Sequence, residues 1–119
     1  MELTDQYRMT ALHYHACSGN VAVLSFLLAS GAAVDAMDYR GGTALHWAIF
    51  QRLGYTALVL LAGGANPSAQ DTTGQSPLML AVLKQEGELI KLLMTSGAEV
   101  HPVKDVKGAT VTTLAKVTT

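Results

Sequence analysis

Three of the four histidines in this 119-residue chain, His13, His15 and His46, and its single cysteine, Cys17, are the side chains best suited to chemistry. Cys17 lies four residues after His13, a spacing that sets both on one face of a helix. An imidazole and a thiolate placed so are zinc ligands, or a nucleophile with its activating base. Neither arrangement is complete in the sequence. Zinc sites take three or four ligands, and no orienting group or oxyanion donor set accompanies the pair. Gly41-Gly42 is not followed by the Lys-Ser/Thr that a phosphate-cradling loop requires. The histidines share another feature. His13 falls in "TALHYHA" (10–16) and His46 in "TALHWA" (43–48), nearly the same words set 33 residues apart.

That period runs through the chain. Asp5, Asp38 and Asp71 are 33 residues apart, as are Thr10, Thr43 and Ser76, then Leu12, Leu45 and Leu78, then Gly31, Gly64 and Gly97. Asp105 follows Asp71 by 34, with the extra residue around "AEVHPVK". The chain therefore divides into three full units, about 5–37, 38–70 and 71–104, and a partial, diverged fourth at 105–119. Each unit repeats one physical programme. Thr10, Thr43 or Ser76 caps a short first helix by accepting from free backbone N–H groups. Pro77 stands just inside the third start, where its missing N–H costs nothing. A tight turn leads to a second helix with apolar residues at i, i+3 and i+4: Val23, Leu24, Leu27 and Leu28, and later Leu89, Ile90, Leu93 and Met94. Gly31, Gly64 and Gly97 stop it at a left-handed position, and a finger-like turn such as "DYRGG" leads to the next unit.

In period and in the T-P-L-H-x-A pattern the chain resembles the ankyrin repeat family, over roughly residues 5 to 110. The resemblance implies an all-α solenoid, a single domain over 1–119 of stacked helix-turn-helix units with β-turn fingers. It also implies that His13 and His46 bond the capping threonine and the adjoining loop backbone, as architecture and not as catalytic or metal-binding groups. Tyr14, Trp47 and Leu80 share a position that packs between units in this family. His15 stands where the other units have Ala48 and Ala81, and is read as an irregularity of a terminal repeat. The departures are Ala11 and Ala44 for the motif proline, Met79 for its histidine, Arg8 for the finger glycine, and Arg52-Leu53 where the inter-helix turn usually has Gly-His.

The family's binding surface is the concave face, made of finger tips and the outer side of each first helix. Carried over residue by residue, it assigns partner binding to Tyr7, Met9, Met37, Tyr39, Arg40, Phe50, Gln51, Gln75, Leu83 and Lys84. Aromatic residues, Met and Arg are the types enriched at interface cores, and Phe50 at a solvent-facing position is the sharpest case. A second apolar excess lies on the second helices, where Leu58 points outward.

Composition narrows the function classes. A net charge of -1 and scattered basic residues argue against nucleic acid, which needs a basic cluster. No continuous apolar run reaches the roughly 18 residues of a membrane span, and "MELTDQYR" does not resemble a signal peptide. Cytoplasm or nucleus is the default expectation. The reading is a non-catalytic module that binds a protein partner, with no cofactor and no metal. The alternative is a regulatory or substrate-recruiting domain of a larger enzyme. "GGTALHWAI" and "GQSPLMLAV" resemble ankyrin units of DHHC-type protein palmitoyltransferases, whose Asp-His-His-Cys segment this chain lacks. The carboxyl end, "VTTLAKVTT", is rich in β-branched residues and predicts an irregular cap, and apolar repeat ends allow self-association.

Overall fold

The computed structural model describes residues 7–98 of the chain. Within them the elements are set by caps. Thr10, Thr43 and Ser76 hold extended backbone, and their hydroxyls accept from the N–H of His13, His46 and Met79 at 3.3, 3.4 and 3.2 Å. These caps open α1 (Ala11–Ser18), α3 (Ala44–Phe50) and α5 (Pro77–Leu83). Each first helix turns sharply into a second, α2 (Val21–Ala29), α4 (Gly54–Ala62) and α6 (Gly87–Thr95). Asn20 caps α2 through its side chain, whereas Leu53 and Glu86 open α4 and α6 without a side-chain bond. The second helices end alike. The N–H groups of Ala32, Ala65 and Ala98 reach back to the carbonyls of Leu27, Leu60 and Leu93, across Gly31, Gly64 and Gly97 in left-handed backbone. Among the described residues all regular structure is helical.

The inter-helix turn keeps one geometry in all three units. Gly19 has φ 76°, and its counterparts Arg52 and Gln85 adopt φ 61° and 56° without being glycine. Asn20, Leu53 and Glu86 each donate from the backbone to the carbonyl five residues earlier, at His15, Ala48 and Ala81. The departure at Arg52-Leu53 thus leaves the turn unchanged and places a strained conformation on a side-chain-bearing residue. Gln85→Gly is expected to raise stability by roughly 0.5–1 kcal/mol, measured as a higher denaturant midpoint at unchanged slope; a lower midpoint would contradict it. Arg52 is the less clean test, because its guanidinium Nε lies 3.2 Å from Glu86.

First helices pack on first helices, α1 on α3 on α5, and second on second, α2 on α4 on α6. The core runs between these two layers. Leu12, Leu45 and Leu78 are buried, as are Leu24, Ala57 and Ile90 behind them and Leu60 and Leu93 beyond. One expectation shifts. Met94 is 47% exposed, while its counterparts Leu28 and Leu61 pack against the core. Leu28 lies against Gly63 of the following unit, and the chain that follows Met94's unit is outside the described residues.

The fingers form a second line of contact. Tyr39 N–H donates to the Tyr7 carbonyl and Thr72 N–H to the Arg40 carbonyl, each at 2.9 Å, so each finger bonds its predecessor. Gly41 shows why this needs glycine. It has φ 76°, and a Cβ there would lie 3.0 Å from the Thr72 backbone nitrogen. The partial fourth unit at 105–119 and its expected irregular cap lie outside the described residues.

Candidate protein-binding groove

The histidines settle first. Nδ1 of His13 accepts from Thr10 N–H at 3.0 Å, and Nδ1 of His46 from Thr43 N–H at 3.1 Å. With Nδ1 an acceptor, Nε2 of the neutral ring carries the proton. His13 Nε2 then donates to the Gly42 carbonyl at 3.0 Å, and His46 Nε2 to the Gln75 carbonyl at 2.9 Å. Each ring closes a capping box in its own unit and ties it to the next finger. Both nitrogens are used, so neither His13 nor His46 has a lone pair for a metal or a proton-accepting role toward Cys17. Cys17 instead accepts from the Gln51 amide at 3.3 Å. Among the described residues no three His, Cys, Asp or Glu side chains converge as a metal site. Burial pushes the His46 pKa below its ordinary 6.5, against the Gln75 carbonyl and the carboxylates of Asp71 and Asp38, which raise it.

The concave side is built from the fingers and the ends of α3 and α5. Asp38 starts one finger and is buried at its base. Its Oδ1 accepts from the N–H groups of Arg40 and Gly42 at 2.8 and 2.9 Å, and its Oδ2 from the Trp47 indole N–H at 3.0 Å. That bond holds the indole of Trp47, which is half-buried, as its place in the repeat predicts. The ring of Phe50 meets Trp47 edge to face, centroids 6.2 Å apart, and the Lys84 ammonium stands 4.3 Å from the Phe50 centroid. At the finger tips the rings of Tyr7 and Tyr39 are 5.5 Å apart, and the Arg40 guanidinium carbon lies 5.3 Å from the Tyr39 centroid. A cavity of about 220 Å³ opens between these groups, lined by Asp38, Arg40, Gly42, His46, Trp47, Phe50, Asp71, Gln75 and Leu80.

Of the residues assigned to partner binding, Arg40, Phe50 and Gln75 line this cavity together, and Lys84 joins through Phe50. Tyr7 and Tyr39 stand beside Arg40 at the tips; Met37, Gln51 and Leu83 are exposed but outside the lining. Met9 is a correction: it is buried, at 9% exposure. It directly precedes the cap Thr10, the position where an apolar side chain folds down as a hydrophobic staple instead of facing solvent. Six cavity residues were not among the assigned contacts: Asp38, Gly42, His46, Trp47, Asp71 and Leu80. Asp38, Trp47 and Leu80 read in the sequence as parts of the repeat, and the period that marks them as structural hides that one side of each faces the groove. Phe26 and Tyr55, 69% and 68% exposed on the second helices, also escaped notice, whereas Leu58 is exposed as expected.

Phe50→Ala is expected to cost no more than about 1–2 kcal/mol, because an exposed ring held by one aromatic and one cation contact contributes roughly that much. Chemical denaturation followed by circular dichroism checks it, and a loss of several kcal/mol would place Phe50 in the core.

Comparison with known proteins agrees with this architecture. Residues 1–71 match the family model described as ankyrin repeats (3 copies), and residues 73–105 match that of the ankyrin repeat. A stretch of 49 residues is 45% identical to human (Homo sapiens) palmitoyltransferase ZDHHC17; it covers 40% of this chain and 8% of that protein. No helix among the described residues is long and apolar enough to cross a membrane. With two helical layers, bonded fingers and family matches over nearly its whole length, the chain belongs to the ankyrin repeat family.

Proposed function

We propose that this chain is a non-catalytic interaction module that holds a protein partner on its concave face, through the finger turns and the first helices. The observation that supports the reading most is the cavity walled by Trp47, Phe50 and Leu80, with Arg40 at its edge. An aromatic-walled recess with exposed Tyr and Arg beside it has the make-up of an interface anchor site. Nothing in the packing of the units requires Phe50 or Tyr39 to be exposed and aromatic. The partner is a protein and not nucleic acid, with no direct membrane insertion, and the cytoplasm or nucleus is the setting that suits it.

The test is paired affinity capture from cell extract with mass spectrometry. One bait is the native chain; the other carries Tyr39→Ala, Arg40→Ala and Phe50→Ala and is checked for equal helical circular dichroism. A partner retained by the first and lost by the second supports the groove. Equal recovery on both would move binding to the second-helix side or to self-association through the repeat ends, which sedimentation would reveal.

One observation favours a second reading, a regulatory or substrate-recruiting domain of a larger enzyme: the 45% identity to a stretch of a palmitoyltransferase. Sequencing full-length transcripts that contain this reading frame decides it. A downstream Asp-His-His-Cys segment with membrane spans would support recruitment, and a stop codon after Thr119 would end that reading.

A further inference from the structure

The charges around the cavity are not equally reachable. Asp38 is buried, and both of its oxygens accept hydrogen bonds, from two backbone N–H groups and the Trp47 indole. Asp71 turns Oδ1 to the N–H groups of Thr73 and Gln75 and to the Thr73 hydroxyl, at 2.7–3.0 Å. Asp38 is thus spent on its finger and offers little to an incoming cation, whereas the Oδ2 of Asp71 lies outside these bonds. The cations are placed the other way. Arg40 is exposed over the Tyr39 ring, and the Lys84 ammonium stands over Phe50. Among the described residues the one ion pair is Arg52 with Glu86, which involves neither Arg40 nor Lys84. A cation resting on an aromatic face keeps N–H donors for a second, anionic partner.

The cavity that Arg40 and Phe50 line has a size. About 220 Å³ is below the roughly 300–1,000 Å³ of a small-molecule site and suits a single bulky side chain. We infer that the groove takes an acidic segment of a partner protein, one apolar side chain of which fills the cavity while flanking carboxylates meet Arg40 and Lys84. A basic segment would meet like charge at both cations and find the Asp38 carboxylate already engaged. The inference rests on the concave groove being the binding surface proposed above.

The experiment is selection of a random-peptide phage library on the full chain, followed by titration of the enriched peptides. The expected peptides carry Asp or Glu around one bulky apolar residue. They should bind about tenfold or more weakly to the Arg40→Glu, Lys84→Glu variant, and weaken as salt rises. Serine in place of the apolar residue should abolish binding. If either charge reversal unfolds the chain, Arg40→Gln with Lys84→Gln replaces it, with loss in the same direction. Neutral or basic peptides that lose binding on Phe50→Ala would overturn the acidic class and leave the groove standing. Peptides indifferent to Phe50, Arg40 and Lys84 would overturn both readings. Acidic peptides that bind as well without their apolar residue, or no enrichment at all, would overturn the inference in favour of a general polyanion surface or of a folded partner face.

Discussion

Leu45→Ala should remove about 2–5 kcal/mol of stability, the range for a buried leucine cut back to a methyl group in a core that cannot fully close. Leu45 is 0% exposed on α3, which packs on α1 on one side and on α5 on the other. A stacked-repeat protein is held together by each unit and by the contacts between neighbours. A cavity in the middle unit therefore weakens two interfaces, whereas Leu12 borders one described neighbour. Set against the roughly 5–15 kcal/mol of a typical domain, the loss brings the variant close to unfolding near physiological temperature. Guanidinium denaturation followed by circular dichroism measures it. An unchanged midpoint would show that the 33-residue register has been set wrongly. Phe50→Ala, on the same helix and five residues on, is the internal control, because it removes more atoms from a position that buries far less.

What the sequence made legible was whatever repeats. The caps Thr10, Thr43 and Ser76, the left-handed glycines and the leucine ladder each follow from local chemistry recurring at one period, and all appear where expected. What stayed hidden depends on neighbours. Tyr14, Trp47 and Leu80 occupy one position, yet Tyr14 is 50% exposed while the other two are half-buried. Phe26 is exposed where Val59 and Leu92 pack on the core. Position in a unit fixes which way a side chain points; a neighbouring unit covers it, and no unit precedes α1 among the described residues. The groove was legible in part for a related reason. Tyr39, Arg40 and Phe50 stand out by type at surface positions, but the Asp38 to Trp47 bond joins a finger to a helix nine residues on. No period or composition marks that contact. Met9 failed for the opposite reason: its type suits an interface, and its place beside the cap buries it.

His46 carries the second large effect, and it separates two roles held by one ring. His46→Ala leaves Thr43 N–H without its Nδ1 acceptor and the Gln75 carbonyl without its Nε2 donor, in surroundings largely shut off from water. Two orphaned backbone groups, at about 1–3 kcal/mol each, make a loss of roughly 2–4 kcal/mol after partial hydration through the cavity. His46→Gln should recover the cap, since glutamine is a natural partner at the third helical position, but not the bond to the next finger; about half the loss should remain. Equal losses for Ala and Gln would mean that the cap contributes nothing. The same ring sets a pH dependence. Burial depresses the folded pKa below 6.5, so above that value both folded and unfolded states hold a neutral ring and stability is flat with respect to this group. As pH falls through 6.5 toward the lower folded value, the unfolded chain takes up the proton first and stability declines; below the folded value it levels off. Urea midpoints from about pH 7.5 to about pH 5, above the main carboxylate range, would show the decline in the native protein. The slope should shrink in His46→Gln, which has no ring to protonate. A native midpoint that rises as the solution is acidified would mean that the carboxylates of Asp71 and Asp38 outweigh burial, and that the ring linking α3 to the next finger is held as a cation.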